Sequence, residues 1–114
     1  MQKTNDTDRT SSAPRFVYDA TNGELVVRVL LSDTHNDDAR AVFMEAVEGH
    51  FLTSPPKAIV FDITGHDLLS SGTLEAFLRC RKRGIDVWLR NASAHVKEIL
   101  ERTHLVQVIG IQGD

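Results

Sequence analysis

Apolar positions along the chain follow two rhythms. Short continuous or alternating runs predict strands: Phe16-Val17-Tyr18, residues 25–31, Ala58-Ile59-Val60-Phe61, residues 85–89 and residues 106–111. Between these runs apolar residues recur every three or four positions, which predicts helices. Ala39, Val42, Phe43, Ala46, Val47, His50 and Phe51 form the inner face of the first helix. Leu74, Phe77 and Leu78 mark the stripe of the second, and Val96, Ile99 and Leu100 that of the third. His50 falls on the apolar side of its helix, so packing is expected of it rather than metal ligation.

Punctuation between the runs agrees with this reading. Asn22-Gly23 supplies the positive φ angles of a tight turn, so the first two strands pair as an antiparallel hairpin. Residues 32–38 are a polar connection ending in acidic residues, which favour a helix N-terminus. Ser54-Pro55-Pro56 closes the first helix, Gly84 the second, and Ser93 caps the third. The order is strand, strand, helix, strand, helix, strand, helix, strand. Such alternation predicts a single α/β domain with a mixed, mainly parallel sheet, joined by right-handed crossovers. The opening hairpin adds strands without helices, so the helices are expected mainly on one face.

Composition narrows the class. The chain has 114 residues, enough for one domain, with 41% hydrophobic and 25% charged residues, the balance of a globular protein with a real core. Residues 1–14 are almost free of apolar side chains and are expected to form a disordered tail, leaving 15–114 as the domain. A net charge of −3 argues against a nucleic-acid binder. No apolar run is long enough to insert in a membrane and no signal-peptide core is visible, so a cytoplasmic protein is expected. Cys80 is the single cysteine, which excludes an internal disulfide and a cysteine-cluster zinc site.

Candidate chemistry centres on one segment. After the buried run ending at Phe61 come Asp62, a polar loop through Asp67, and then Leu68-Leu69-Ser70-Ser71-Gly72 at the start of the second helix. Ser71 is placed to cap that helix, which alone accounts for a serine there. The sharper reading exposes one hydroxyl for phosphorylation, beside Asp67 and Glu75, so that added charge repels an acidic partner. His66, Asp67 and Ser70 also lie close in sequence, as a serine hydrolase would require, but no Gly-x-Ser-x-Gly elbow is present. The five histidines have no ligand spacing and no phosphate-cradling glycine motif occurs, so neither metal nor cofactor is expected. Arg79, Arg81, Lys82 and Arg83 surround Cys80; a solvated helix face is the default, and a thiol exposed among those cations would have a lowered pKa.

The ordered set resembles the STAS family, which includes anti-sigma factor antagonists and the cytosolic tails of sulfate transporters. An apolar strand ends in Asp62, and Ser70-Ser71-Gly72 matches the last three positions of the family's Asp-Ser-Ser-Gly motif. A Gly84-terminated helix, a strand to Leu89, Asn91, and a helix ending in Leu100, Thr103 and Leu105 follow. The motif's leading Asp is Leu69 here, and the family's glycine and aspartate after the second strand are not found in residues 32–38.

The resemblance implies a STAS fold and a non-enzymatic, cytoplasmic bacterial module. Its partner would be an anti-sigma factor and serine kinase of the histidine-kinase-like ATPase fold, with a phosphatase restoring the unphosphorylated form. It implies Ser70 as phosphoacceptor, with Ser71 the alternative. Partner contacts are expected from Asp62, Asp67, Leu69, Ser70, Ser71, Gly72 and Glu75. The alternative within the family is a non-switching scaffold or transporter-accessory subunit; outside it, a small serine hydrolase.

Overall fold

The computed structural model describes residues 15–53 and 55–112; the expected tail at residues 1–14, Ser54 of the expected helix break and residues 113–114 lie outside them. The elements are β1 (Phe16–Asp19), β2 (Glu24–Arg28), α1 (Asp37–Thr53), β3 (Ala58–Asp62), α2 (Ser71–Lys82), β4 (Asp86–Arg90), α3 (Ala94–Arg102) and β5 (Ile109–Ile111). They form one α/β domain around a five-stranded sheet in the order β1-β2-β3-β4-β5. β1 and β2 are antiparallel, and the other pairings are parallel.

Strand order equals chain order, and this fixes where the helices go. Each crossover steps one strand further in the same direction, and right-handed crossovers that all step the same way lay their helices on the same face. Burial follows: β2 and β4 alternate, with Leu25, Val27, Val87 and Leu89 buried and their neighbours more exposed. In the central strand Ile59, Val60 and Phe61 are all inaccessible to solvent. On the helical side Phe61 stacks on Phe77 of α2, ring centroids 4.2 Å apart, and meets Phe43 of α1 at 6.4 Å.

Four local expectations are corrected. In the hairpin only Gly23 takes a positive φ, while Asn22 instead accepts the Glu24 amide through its side chain at 3.2 Å. The second strand stops at Arg28 rather than residue 31, because the buried Asp33 carboxylate accepts the Leu30 amide at 2.7 Å and folds Leu31–Thr34 into a 3-10 turn. Arg15 pairs with the same carboxylate. On α1 the buried face is Phe43, Met44, Val47 and Phe51, so it is turned toward Met44; Val42 is 66% exposed and Ala46 lies outside. His50 is exposed too, although its ring stacks on Phe16. Finally, Leu105–Gln107 form a 3-10 turn, which reduces the last strand to Ile109–Ile111.

Among the described residues no helix is long and apolar enough to cross a membrane. The core stands on the Phe61–Phe77 stack. Phe77→Ala is expected to lower stability by about 3–5 kcal/mol, the range for a buried aromatic truncated to alanine. A urea midpoint measurement checks this; a loss below about 1 kcal/mol would show that the stack is peripheral.

Candidate functional site

The start of α2 is a capped helix end. Ser70 is extended (φ −71°, ψ 160°), and its Oγ accepts the Thr73 amide at 3.2 Å. That oxygen also lies 3.0 Å from the Thr73 hydroxyl. The cap is therefore Ser70; Ser71, the expected cap, is the first helical residue. Both serines are exposed.

Leu69 and Leu74 explain why the helix begins there. They occupy the two positions a hydrophobic staple joins, just before the cap and four residues into the helix. Each is 8% exposed and belongs to the core. This corrects one expected partner contact: the Leu69 side chain is spent on the interior, and the residue that faces outward is Leu68, 62% exposed. Gly72 is half-buried because the Arg40 guanidinium lies against it; a Cβ there would sit 2.5 Å from Arg40 Nη2. Arg40 is itself paired with Asp37.

Two hollows flank this segment. Asp67, Leu68, Ser93, Ala94 and His95 line one of about 560 Å³. The other, about 410 Å³, runs between α1 and α2 beside Arg40, Glu45, Glu48, Gly72, Glu75 and Arg79. Asp67 and Glu75 are exposed, so residues 67–75 form a surface strip with an acid near each end and Leu68 standing out of it.

Asp62 belongs to a different arrangement. At the ends of β3 and β4 its carboxylate accepts the Thr64 amide at 3.1 Å, the Thr64 hydroxyl at 2.6 Å and the Asn91 side-chain amide at 3.1 Å. Asn91, in the left-handed region at φ 63°, also donates to Thr64 Oγ1 at 2.9 Å. Burial pushes the Asp62 carboxyl up, but those hydrogen bonds, with Arg90 nearby, outweigh it and hold the group below its usual value. The network ties two loops together. Sequence spacing gave no sign of it, because Asp62 and Asn91 meet only through the β3–β4 register.

The remaining chemistry is structural. His66 is buried and its Nε2–H donates to the Val29 carbonyl at 3.0 Å, so that nitrogen holds the loop against the end of β2. With Ser70 engaged by Thr73, no serine–histidine hydrogen bond is present among the described residues. No group of three or more potential metal ligands comes together among them either. Cys80 is buried. Burial first, and Glu48 second, push its thiol up to about 12 against the opposing pull of Arg83 and Arg79, the reverse of an activated cysteine. Arg79 and Arg83 both face Glu48 at 3.7 Å, and Arg81 faces Asp86 at 3.6 Å.

Comparison with known proteins agrees with this fold. The STAS domain family model matches residues 22–114. Among solved structures, the chain is similar to the NMR structure of the protein TM1081, with a TM-score of 0.63 at 16% identity over 83% of this chain and 78% of that one. At that identity the likeness concerns the fold. No curated protein matches the sequence.

Two outcomes follow from the local geometry. Ser70→Ala removes the cap and is expected to cost about 1 kcal/mol, whereas Ser70→Asp, also a good cap, leaves stability within about 0.5 kcal/mol; chemical denaturation of both variants checks this. The depressed Asp62 carboxyl contributes stability that is complete above its unfolded value of 3.8 and is lost as pH falls through its lower folded value. Asp62→Asn is therefore expected to lower stability at neutral pH and to flatten its decline in acid. An unchanged acid profile would refute the role given to Thr64 and Asn91.

Proposed function

The chain belongs to the STAS domain family, and from that premise we propose that it is an anti-sigma factor antagonist working by partner switching. Unphosphorylated, it binds an anti-sigma factor that is also a serine kinase of the histidine-kinase-like ATPase fold. That kinase modifies Ser70 and the complex weakens; a phosphatase restores it. In this reading the protein is a binding module of the bacterial cytoplasm and catalyses nothing itself, with Asp67, Ser70, Ser71, Gly72 and Glu75 on the partner surface. Asp62 stands behind them as a loop anchor.

The observation that carries the reading is an exposed serine capping a 12-residue helix, with Asp67 and Glu75 exposed on the same strip. A phosphate there adds about −1.5 to −2 charge. The helix N-terminus favours a negative group by about 0.3–1 kcal/mol, so the fold accepts the modification. A partner surface does not: an unpaired charge in a desolvated interface costs about 2–5 kcal/mol. The modification therefore acts on association and leaves folding alone. A second reading, the non-switching scaffold or transporter-accessory subunit, is favoured by one observation. Leu69 stands where the family motif has Asp, and its side chain is buried.

Affinity capture from native lysate separates the two. Wild type and Ser70→Ala are expected to retain the ATPase, and Ser70→Asp to bind it at least about 30-fold more weakly. Incubation with the captured kinase and ATP should place the phosphate on Ser70 by mass spectrometry. Equal capture of the same scaffold or transporter proteins by wild type and Ser70→Asp would refute the switch.

A further inference from the structure

The face of the sheet opposite the helices carries a pattern that one chain uses only in part: Asp86 faces Arg81 at 3.6 Å and Arg90 Nε donates to Gln112 at 3.0 Å, both at its border. Register reads its outward positions off in rows. The middle row is Val17, Val26, Val60, Trp88 and Gly110. Val60 at its centre is shielded, whereas Val17 is 46% and Trp88 37% exposed. The Trp88 ring lies on the backbone of β5: a Cβ on Gly110 would fall 2.4 Å from it, so only glycine leaves room.

The flanking rows differ in charge: one carries three acids, and the other two arginines on either side of Asp62, whose carboxylate is taken up by Thr64 and Asn91. Toward the start of the parallel strands the row is Asp19, Glu24, Ala58 and Asp86; toward their ends it is Arg28, Asp62 and Arg90. On this face β2 therefore reads Glu24-Val26-Arg28 and β4 reads Asp86-Trp88-Arg90. Acid and arginine on one strand are about 13 Å apart, four residues at ~3.3 Å each, too far to pair with each other.

We infer that this face binds a second copy of the chain, related by a two-fold axis that lies between the two sheets and runs across the strands. A half-turn about that axis reverses strand direction. It lays the apolar row on its counterpart and the acids of β2 and β4 on the arginines of the same strands, with Asp62 of β3 opposite Ala58. Glu24 then faces Arg28 of the second copy, Asp86 faces Arg90, and Trp88 meets Trp88. A two-fold axis along the strands would instead set acid on acid and arginine on arginine, which costs binding. The charge pattern thus selects one of the two isologous arrangements, and sheets packed face to face with strands nearly aligned are an ordinary solution.

Size makes this a weak dimer. Five strands ~4.8 Å apart and five residues of ~3.3 Å give roughly 400 Å² per copy, about 800 Å² for the pair. Stable interfaces bury about 1,200 Å² or more, so association depends on concentration. Ser70 caps a helix on the other side of the sheet, so the dimer leaves it accessible.

Sedimentation velocity of the full chain from about 10 μM to about 1 mM spans the range of such an association. The expected result is a mass rising toward two chains, with the emission of Trp88, the one tryptophan, shifting to the blue in parallel. Asp86→Arg and Arg90→Asp each set like charges opposite one another and should weaken the dimer about tenfold or more, whereas the double variant should restore it. Val17→Lys, at an exposed position of the edge strand, should weaken it too and provides an independent variant should a charge reversal unfold the protein. A monomer at every concentration overturns the inference, as does a dimer indifferent to all these substitutions. Removal of residues 1–14 that moves the Trp88 emission in an always monomeric protein would overturn it as well, by giving the face to the chain's own segment.

Discussion

The constraint on which the rest of the structure depends is that the parallel strands are laid down in chain order, each joined to the next through one helix, and crossovers of the general right-handed kind that all step one way put their helices on one face. With no reversal of direction, α1, α2 and α3 share one face. The core is consequently a single slab between that face and the helices, from Leu25 and Val27 through Ile59 and Phe61 to Val87, Leu89 and Ile109. Phe61 sits at its middle because β3 is the central strand, and it is there that aromatic side chains from both α1 and α2 converge. The sheet's other face answers to a separate set of requirements, which is why charge and valine alternate with core residues along β2.

The same topology gathers the loops. Parallel strands all end at one edge, so the segments after β2, β3 and β4 emerge side by side. They are tied to one another at short range. Val29 donates its amide to the Asp62 carbonyl at 2.9 Å, and Ile63 donates to Arg90 at 3.0 Å, continuing the ladder past the strands. His66 then reaches Val29, and Asn91 reaches both Asp62 and Thr64. The loop that carries Ser70 is thus held from the β2 side and from the β4 side before its helix begins. The strip from Asp67 to Glu75 is a braced surface, and a partner reading it loses little conformational entropy in ordering it.

How much of this was legible depends on whether a feature is local. The Ser93 cap and the buried run at residues 58–61 rest on neighbouring residues, and both stand as expected. The rotation of α1 was not legible, because Val42 and Met44 are both apolar and flank Phe43, so spacing alone fits either face. The early end of β2 depends on Asp33 reaching back to Leu30, a choice that a run of apolar residues through position 31 conceals. Between Ser70 and Ser71 the sequence did hold an answer: leucines at positions 69 and 74 fit a staple around Ser70, whereas around Ser71 the same positions would be Ser70 and Glu75. The Asp62–Thr64–Asn91 network needed the strand register and had no local signal.

Leu69 links the fold to the proposed switch. As the residue before the cap it anchors the first turn of α2 in the core, and this anchoring, together with the bond from Thr73 to Ser70, sets the helix start without a carboxylate at that position. The acids left on the strip are Asp67 and Glu75, one on either side of the serines. A phosphate on Ser70 would keep oxygen acceptors beside the Thr73 amide and would sit at the favourable end of the helix dipole, so the first turn would persist. What changes is the charge presented between those two acids. A device of this kind needs a rigid helix end whose stability is indifferent to the modification, and the staple supplies one. The buried leucine is therefore compatible with a phosphoswitch on physical grounds even though it departs from the family motif.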